Sequence, residues 1–448
     1  MATYSVIGLA RSGVAASNAL IKRGHRVIAS DLRNAEKMAP FLNELSPEVE
    51  VILEKNHVEP GSIVVVSPGI PLKAPIFPLA AQVAQRLIGE IGLFHELKGN
   101  VPVLAVTGTD GKSTTTSWLG SMCSAAKHPT WIGGNLGIPL CASLDELTPE
   151  HIVVAEVSCF QLSTAPNFHP SVAVITNIAP DHLDYYDGSF DAYQHAKAAV
   201  MQNHGPTDTV VLNADDPILA QWKAPNGGKT LWFSRQIPLS NDKFGVWLEG
   251  NTIRYRGEST ASMDIVHIDE LQIPGMHNVE NAMAATAAAF AHGLPLEAIQ
   301  ESLRTFGGLE HRIEYITTIN DVRFYNDSKA TNPHASEAAL RAFNEPMVLI
   351  AGGSEKGSDF SDWAELVVDR CRHVICCGDT GHRIQQTLGE RVPTTLVDSL
   401  ETATVEAFKI AKTGGLVVLS PACASFDQFR SFEERGREFK RMVHALDS

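Results

Sequence analysis

The 448-residue chain has no apolar run approaching the roughly 18 residues that span a bilayer, no internal repeat and no low-complexity segment. It is short of positive charge. Thirty-six Lys and Arg stand against 51 Asp and Glu, a formal net charge of -15. A broad nucleic-acid footprint needs clustered cations, so no nucleic-acid partner is expected. Anionic small substrates need only a few local cations, which should then sit inside identifiable motifs. Seven cysteines (Cys123, Cys141, Cys159, Cys371, Cys376, Cys377 and Cys423) are scattered and odd in number, without paired C-x-x-C spacing. Adjacent Cys376 and Cys377 are poor disulfide partners. The thiols are therefore expected to be reduced and mostly buried, as in a cytosolic protein. The opening Met-Ala-Thr-Tyr runs straight into a strand-like segment with no basic leader or apolar h-region, so a cytoplasmic protein without a membrane anchor is expected.

Length sets the next bound, because at roughly 150 residues per domain the prior is about three domains. Three segments repeat one pattern: a short β-branched strand, a glycine turn, then a helical stretch. The first holds strands at 4–9, 25–29 and 63–66, the second at 103–107, 152–157, 172–177 and 209–213, and the third at 322–326, 347–351, 374–377 and 415–419. Alternation of this kind predicts helix-covered, mainly parallel sheets, an α/β architecture. Between about 230 and 273 the texture changes. Val246-Trp247-Leu248 and Thr252-Ile253-Arg254-Tyr255, split by Glu249-Gly250-Asn251, predict an antiparallel side sheet. Boundaries near 92 and 303 divide the chain into residues 1–92, 93–303 and 304–448.

The strongest chemical signal is Gly108-Thr109-Asp110-Gly111-Lys112-Ser113-Thr114-Thr115-Thr116, directly after a buried strand and opening a helix. Glycines let backbone amides approach phosphate, the helix N-terminus favours anions, and Lys112 adds a charge. The hydroxyl after the lysine suits Mg²⁺, so Ser113 is a candidate ligand. A strict P-loop wants glycine where Val106 stands, so the match is to a shorter variant. Magnesium on ATP phosphates needs a carboxylate nearby. Glu156 ends one predicted strand, and Asp181, His182 and Asp184 follow the next, where ligands of parallel sheets gather. The glycines after the first strand, Gly8-Leu9-Ala10-Arg11-Ser12-Gly13, miss the G-x-G-x-x-G dinucleotide pattern at Ala10, which argues against an oxidoreductase.

These residues resemble the Mur ligase family along the whole chain. The resemblance rests on the phosphate loop, Glu156-Val157-Ser158-Cys159-Phe160-Gln161-Leu162, residues 177–183, Gly275-Met276-His277-Asn278-Val279-Glu280-Asn281 and His311-Arg312-Ile313-Glu314. Two further segments, Asn326-Asp327-Ser328-Lys329-Ala330-Thr331-Asn332 and Ser420-Pro421-Ala422-Cys423-Ala424-Ser425-Phe426-Asp427-Gln428-Phe429, point to its D-glutamate-adding branch. The resemblance implies an ATP-dependent, ADP-forming amide ligase of peptidoglycan precursor synthesis. It would join D-glutamate to UDP-N-acetylmuramoyl-L-alanine through an acyl phosphate. It also implies a Rossmann-like UDP-substrate domain (1–92), a P-loop ATPase-like ATP domain (93–303) and a Rossmann-like amino-acid domain (304–448), in a monomer.

Residue by residue, the resemblance gives Gly108, Thr109, Asp110, Gly111, Lys112, Ser113 and Thr114 to the ATP phosphates. It gives Asn278 and Asn281 to the adenine side, and Arg312 and Asp327 to phosphates and ribose. Ser113, Glu156, His182 and a carbamylated Lys197 would hold two Mg²⁺, the carbamate deriving from CO₂. Without the resemblance, Lys197 reads as a solvated helix lysine. Arg11, Ser12, Asp31, Arg33, Gly69, Asn135, Ser158, Gln161 and His182 would bind the UDP substrate. Lys329, Thr331, Lys356, Ser425, Phe426 and Phe432 would bind D-glutamate. The other Arg and Lys of the helix predicted over 427–443 read as a solvated face. One departure stands out: Asp110 occupies a position where the family usually carries asparagine. The competing readings are a Mur ligase or folylpolyglutamate synthase with another acceptor, and a non-catalytic nucleotide-binding regulator.

Overall fold

The computed structural model describes all residues except 237–238, 241–242, 259–260, 344, 356, 412–414 and 447–448. Its chain packs as two compact units. The first is Met1–Ile268 with Val279–Leu303, and the second is Asp269–Asn278 with Arg304–Ser448.

The first unit carries two sheets. Strands β1 (Thr3–Ile7), β2 (Arg26–Asp31), β3 (Glu50–Leu53), β4 (Ile63–Val66) and β5 (Arg86–Gly89) are all parallel, in the order β3-β2-β1-β4-β5. The second sheet has nine strands: β6 (Val103–Thr107), β7 (Thr130–Gly134), β8 (Ile152–Glu156), β9 (Val172–Ile175), β10 (Thr209–Asn213), β11 (Lys229–Ser234), β12 (Gly245–Glu249), β13 (Thr252–Arg256) and β14 (Met263–His267). Their order is β14-β13-β12-β11-β10-β9-β6-β8-β7. Strands β6 and β8 to β10 are buried along their whole length, as expected of apolar runs covered by helices on both faces. The predicted hairpin forms, with Gly250 and Asn251 at its turn. It does not stand apart as a side sheet, however. Strand β12 pairs in parallel with β11, and only β13 and β14 run antiparallel, so the hairpin extends the edge of the central sheet.

The second unit holds β15 (Glu314–Ile319), β16 (Val322–Asn326), β17 (Met347–Gly352), β18 (Cys371–Cys377), β19 (Thr394–Leu396) and β20 (Leu416–Leu419). Their order is β15-β16-β20-β17-β18-β19, and only β15 pairs antiparallel. All seven cysteines are free and buried. Among the described residues no helix is long and apolar enough to cross a membrane.

One buried acid lies where the helix Glu90–Leu97 follows β5. Glu90 Oε1 accepts from the Cys141 amide at 2.6 Å, while Oε2 is buried without a partner among the described residues. Burial pushes its carboxyl up to about 7 against the Cys141 bonds that lower it. The folded state therefore favours the protonated acid. This stability is fully present below the ordinary carboxyl range and is lost as pH rises through about 7. Glu90→Gln keeps an acceptor for Cys141, so it is expected to stabilise the protein by about 2–3 kcal/mol at pH 8 and to change little near pH 4.5. Calorimetric melting at the two pH values checks this, and an equal shift at both would contradict it.

Candidate functional site

The phosphate loop leaves the C-terminal end of β6 and becomes the helix Lys112–Ala125. Two of its positions admit only glycine. Gly108 has φ 144°, and a Cβ there would stand 1.9 Å from Thr176 Oγ1. Gly111 has φ 76°, and a Cβ would stand 2.2 Å from Asn281 Oδ1. The loop is thus pressed between the end of β9 and Asn281, which also accepts from Thr115 Oγ1 at 3.3 Å. Asn281 therefore backs the loop. Lys112 Nζ folds over the loop, donating to the carbonyls of Gly108 at 3.0 Å and Thr109 at 2.6 Å. Ser113 and Thr114 follow it in the first helical turn.

Strand β8 lies beside β6, with Glu156 opposite Val106, so the carboxylate emerges at the loop. Glu156 is buried, and its Oε1 accepts from Asn135 Nδ2 at 2.6 Å. Its Oε2 is buried with no hydrogen-bond partner among the described residues. An anionic oxygen held this way is costly unless a cation meets it. It fits a magnesium ion. No group of three His, Cys, Asp or Glu that could hold a metal occurs among the described residues.

Lys197 overturns its reading as a solvated helix lysine. It is 2% exposed, and its Nζ donates to the Gly108 carbonyl at 2.5 Å and lies 4.7 Å from the centre of the Tyr193 ring. Burial first, and the Lys112 charge second, bring its ammonium down to about 8. Two lysines therefore converge on one loop carbonyl. Tyr193 joins them: one turn earlier on the same helix, its hydroxyl lies 3.0 Å from Thr109 Oγ1. The sequence reading missed Tyr193, although its i, i+4 spacing from Lys197 was a usable signal.

His182 sits in the left-handed region at φ 51°, its ring tilted against Phe160 at 5.0 Å and its Nε2 3.3 Å from Asp181 Oδ2. A non-glycine residue held there carries local strain, as functional residues often do. Asp184 is exposed nearby. Ser158 and Gln161 cap each other across the short helix Cys159–Leu162, with the Ser158 amide donating to Gln161 Oε1 at 2.9 Å.

In the first sheet, Asp31 ends β2 and accepts from the Leu9 amide at 2.8 Å and from Arg33 Nε at 2.8 Å and Nη2 at 2.7 Å. Burial alone would raise its carboxyl, but the Arg33 bonds outweigh it and hold the group at about 2. Arg11 donates to the Gly137 carbonyl at 2.9 Å, while Ser12 is half-buried and Gly69 exposed. These five residues gather at the C-terminal edge of one parallel sheet.

In the second unit, Asp327 directly follows β16, buried, with Oδ2 accepting from Ser420 Oγ at 2.7 Å and Oδ1 from the Ile313 amide at 3.3 Å. Burial pushes it up to about 7, against these bonds and the charges of Arg312 and Arg435. Arg312 is exposed. Asn278 Nδ2 donates to the Pro274 carbonyl at 2.6 Å. Lys329 and Thr331 are half-buried, Ser425 is buried and Phe426 is 67% exposed. Lys356 lies outside the described residues.

The C-terminal helix differs from expectation in two ways. It runs Phe432–Ala445, capped by Ser431, because residues 426–428 form a turn in which the Gln428 and Phe429 amides donate to the Ser425 carbonyl. Its basic residues are not all solvated either. Arg435 is buried and bonds Ser328 Oγ (2.9 Å), Ser328 O (2.8 Å), Cys423 O (3.0 Å) and Ala424 O (3.2 Å). It thereby ties together the two segments that carry Lys329, Thr331, Ser425 and Phe426. Phe432, on the same helix, meets His311 edge-on at 6.2 Å. No sequence signal marked Arg435, since buried and solvated arginines look alike on an amphipathic helix.

Comparison with known proteins settles the family. Residues 106–289 match the Mur ligase middle domain, and residues 311–423 match the Mur ligase glutamate ligase domain. The UDP-N-acetylmuramoylalanine–D-glutamate ligase of Caldanaerobacter subterraneus subsp. tengcongensis is 40% identical over 98% of both chains. The chain belongs to the Mur ligase family. Relatives of the same description from Pelotomaculum thermopropionicum (40% identical, covering 98% of this chain and 97% of that one) and Clostridioides difficile (35% identical, 98% of each) align equally far. In fold, this Mur ligase is similar to UDP-N-acetylmuramate–alanine ligase from Thermotoga maritima, with a TM-score of 0.58, 19% identity and full coverage of both chains. It is likewise similar to the D-alanyl-D-alanyl-adding ligase from Acinetobacter baumannii, with a TM-score of 0.59, 19% identity and coverage of 98% of this chain and 93% of that one.

Proposed function

We propose that this Mur ligase joins D-glutamate to UDP-N-acetylmuramoyl-L-alanine with ATP going to ADP and phosphate, working in the cytoplasm as a monomer. The observation that carries the reading is the buried Glu156 Oε2, without a hydrogen-bond partner among the described residues, beside a glycine loop on which Lys112 and Lys197 converge. Residues 1–92 receive the UDP substrate through Arg11, Ser12, Asp31, Arg33 and Gly69. Asn135, Ser158, Gln161 and His182 attend its far end. Residues 93–303 hold ATP, and residues 304–448 hold D-glutamate through Lys329, Thr331, Lys356, Ser425, Phe426 and Phe432.

The chemistry then follows from charge. An alanyl carboxylate oxygen attacks the γ-phosphorus, the bond to ADP breaks, and an acyl phosphate forms. The D-glutamate amine adds to its carbonyl, a proton leaves the nitrogen, and phosphate departs. Negative charge builds on the transferring group, so Lys112 and Arg312 act by offsetting it. Magnesium, two ions held through Ser113, Glu156, His182 and modified Lys197, supplies further charge neutralisation when bound. Lys197 suits carbamylation because an ammonium held near 8 releases its proton readily. The free amine and CO₂ give a carbamate and one proton, and the pocket's second cation becomes an anion.

ADP release with UDP-N-acetylmuramoyl-L-alanine and a panel of amino acids tests the reading. D-glutamate is expected to exceed L-glutamate, L-alanine and a diamino acid by about 10²-fold or more in kcat/KM. Preference for another acceptor would move the chain elsewhere in the family. ADP release indifferent to acceptor would end the ligase reading.

A further inference from the structure

The amide of Asn177 lies flat against the peptide of Asp110. Its Oδ1 accepts from the Asp110 amide at 2.8 Å, and its Nδ2 donates to the Asp110 carbonyl at 3.3 Å. Only this orientation satisfies both groups, since a flipped amide would face donor to donor and acceptor to acceptor. The Asn177 carbonyl accepts from the Thr109 amide at 3.0 Å, and Thr176 Oγ1 donates to the Asp110 carbonyl at 2.5 Å. Behind them, Asn213 Nδ2 donates to the Thr176 carbonyl at 3.0 Å and Asp216 Oδ2 accepts from the Ile178 amide at 2.7 Å. The end of β9 is therefore anchored to β10 before it grips the loop.

We propose that Asn177 is a positioning residue for the nucleotide. It takes up the amides of Thr109 and Asp110, so the loop's phosphate-facing donors begin at Gly111 and run into the first helical turn. The inference rests on the reading that this loop holds ATP. It also accounts for Asp110 where asparagine is usual. The backbone of residue 110 is shaped from outside by Asn177 and Thr176, and its side chain is exposed.

The test uses the full-length wild type, Asn177→Ala and Asn177→Asp. The aspartate keeps the acceptor for the Asp110 amide and loses the donor. For Asn177→Ala, KM for ATP is expected to rise about tenfold, as for a lost hydrogen-bonding pair, with KM for D-glutamate and for the UDP substrate unchanged. Asn177→Asp should fall between alanine and wild type. The thermal shift produced by an ATP analogue should shrink in the same order, from an unchanged ligand-free melting temperature. A wild-type KM for ATP in Asn177→Ala overturns the inference. So does an equal rise for all three substrates, or a collapse of ligand-free melting in both variants, since each marks a merely structural role. A wild type that neither binds nor turns over ATP sinks the underlying reading instead, and that outcome is separately visible.

Discussion

Lys112→Ala is expected to lower ADP release by about 10³-fold with all substrates present, with little change in melting temperature. The size follows from what the residue does. Removing one preorganised donor aimed at developing charge costs about 10²–10³ in kcat, and a full charge exceeds a neutral donor. Stability should hold because Nζ donates to two loop carbonyls that keep other partners: Gly108 O retains Lys197 Nζ, and the half-buried Thr109 can turn its carbonyl to water. Lys112→Arg should fail nearly as badly, since a planar fork does not fit a clasp built for a point charge. Steady-state ADP release and pre-steady-state acyl-phosphate formation read the effect. Turnover within threefold of wild type would remove the loop from the reaction.

Lys197→Ala is expected to be at least about 10²-fold slower and to recover part of its activity in acetate or formate, which would replace the missing anion. The variant should melt no lower than wild type. Its ammonium is buried on the Gly108 carbonyl and the Tyr193 ring with Lys112 as the strongest charged neighbour, so removing it relieves a desolvation cost that these contacts offset only in part. Rescue by a small carboxylate, with no rescue by a small amine, distinguishes a carbamate from a lysine acting as a cation. Wild-type activity should also decline on exhaustive removal of CO₂, more steeply below pH 8, where the lysine is increasingly protonated and the free amine scarce. Full activity in Lys197→Ala, or loss with no carboxylate rescue, would sink the carbamate.

The sequence itself carried the α/β class and the strands that build the site. Buried parallel strands such as β6, β8, β9 and β10 are continuous apolar runs, and a run bounded by turn residues is visible without any fold. Strands β5 and β7 are not legible in the sequence for the opposite reason. Arg86-Leu87-Ile88-Gly89 and Thr130-Trp131-Ile132-Gly133-Gly134 are edge strands with polar or glycine residues, and their pairing partners, not their composition, make them strands. The place of β12 is similar. A hairpin is a local signal, whereas its parallel seam with β11 depends on how the chain returns after Ser234, which no turn residue specifies.

The candidate site divides along the same line. Lys112, Ser113 and Glu156 announce themselves, because a glycine loop between strand and helix and an acid at a strand's end are written in consecutive residues. Burial is not. Lys197 and Arg435 read as solvated cations since charge patterning on a helix fixes which residues share a face but not what that face meets. Only the packed chain puts a carbonyl under Lys197, three carbonyls and a hydroxyl around Arg435, and the Asn177 amide against Asp110. Local chemistry belongs to neighbours in sequence. The desolvation and hydrogen-bond geometry that turn it into a site belong to residues tens of positions apart, which meet only in the folded chain.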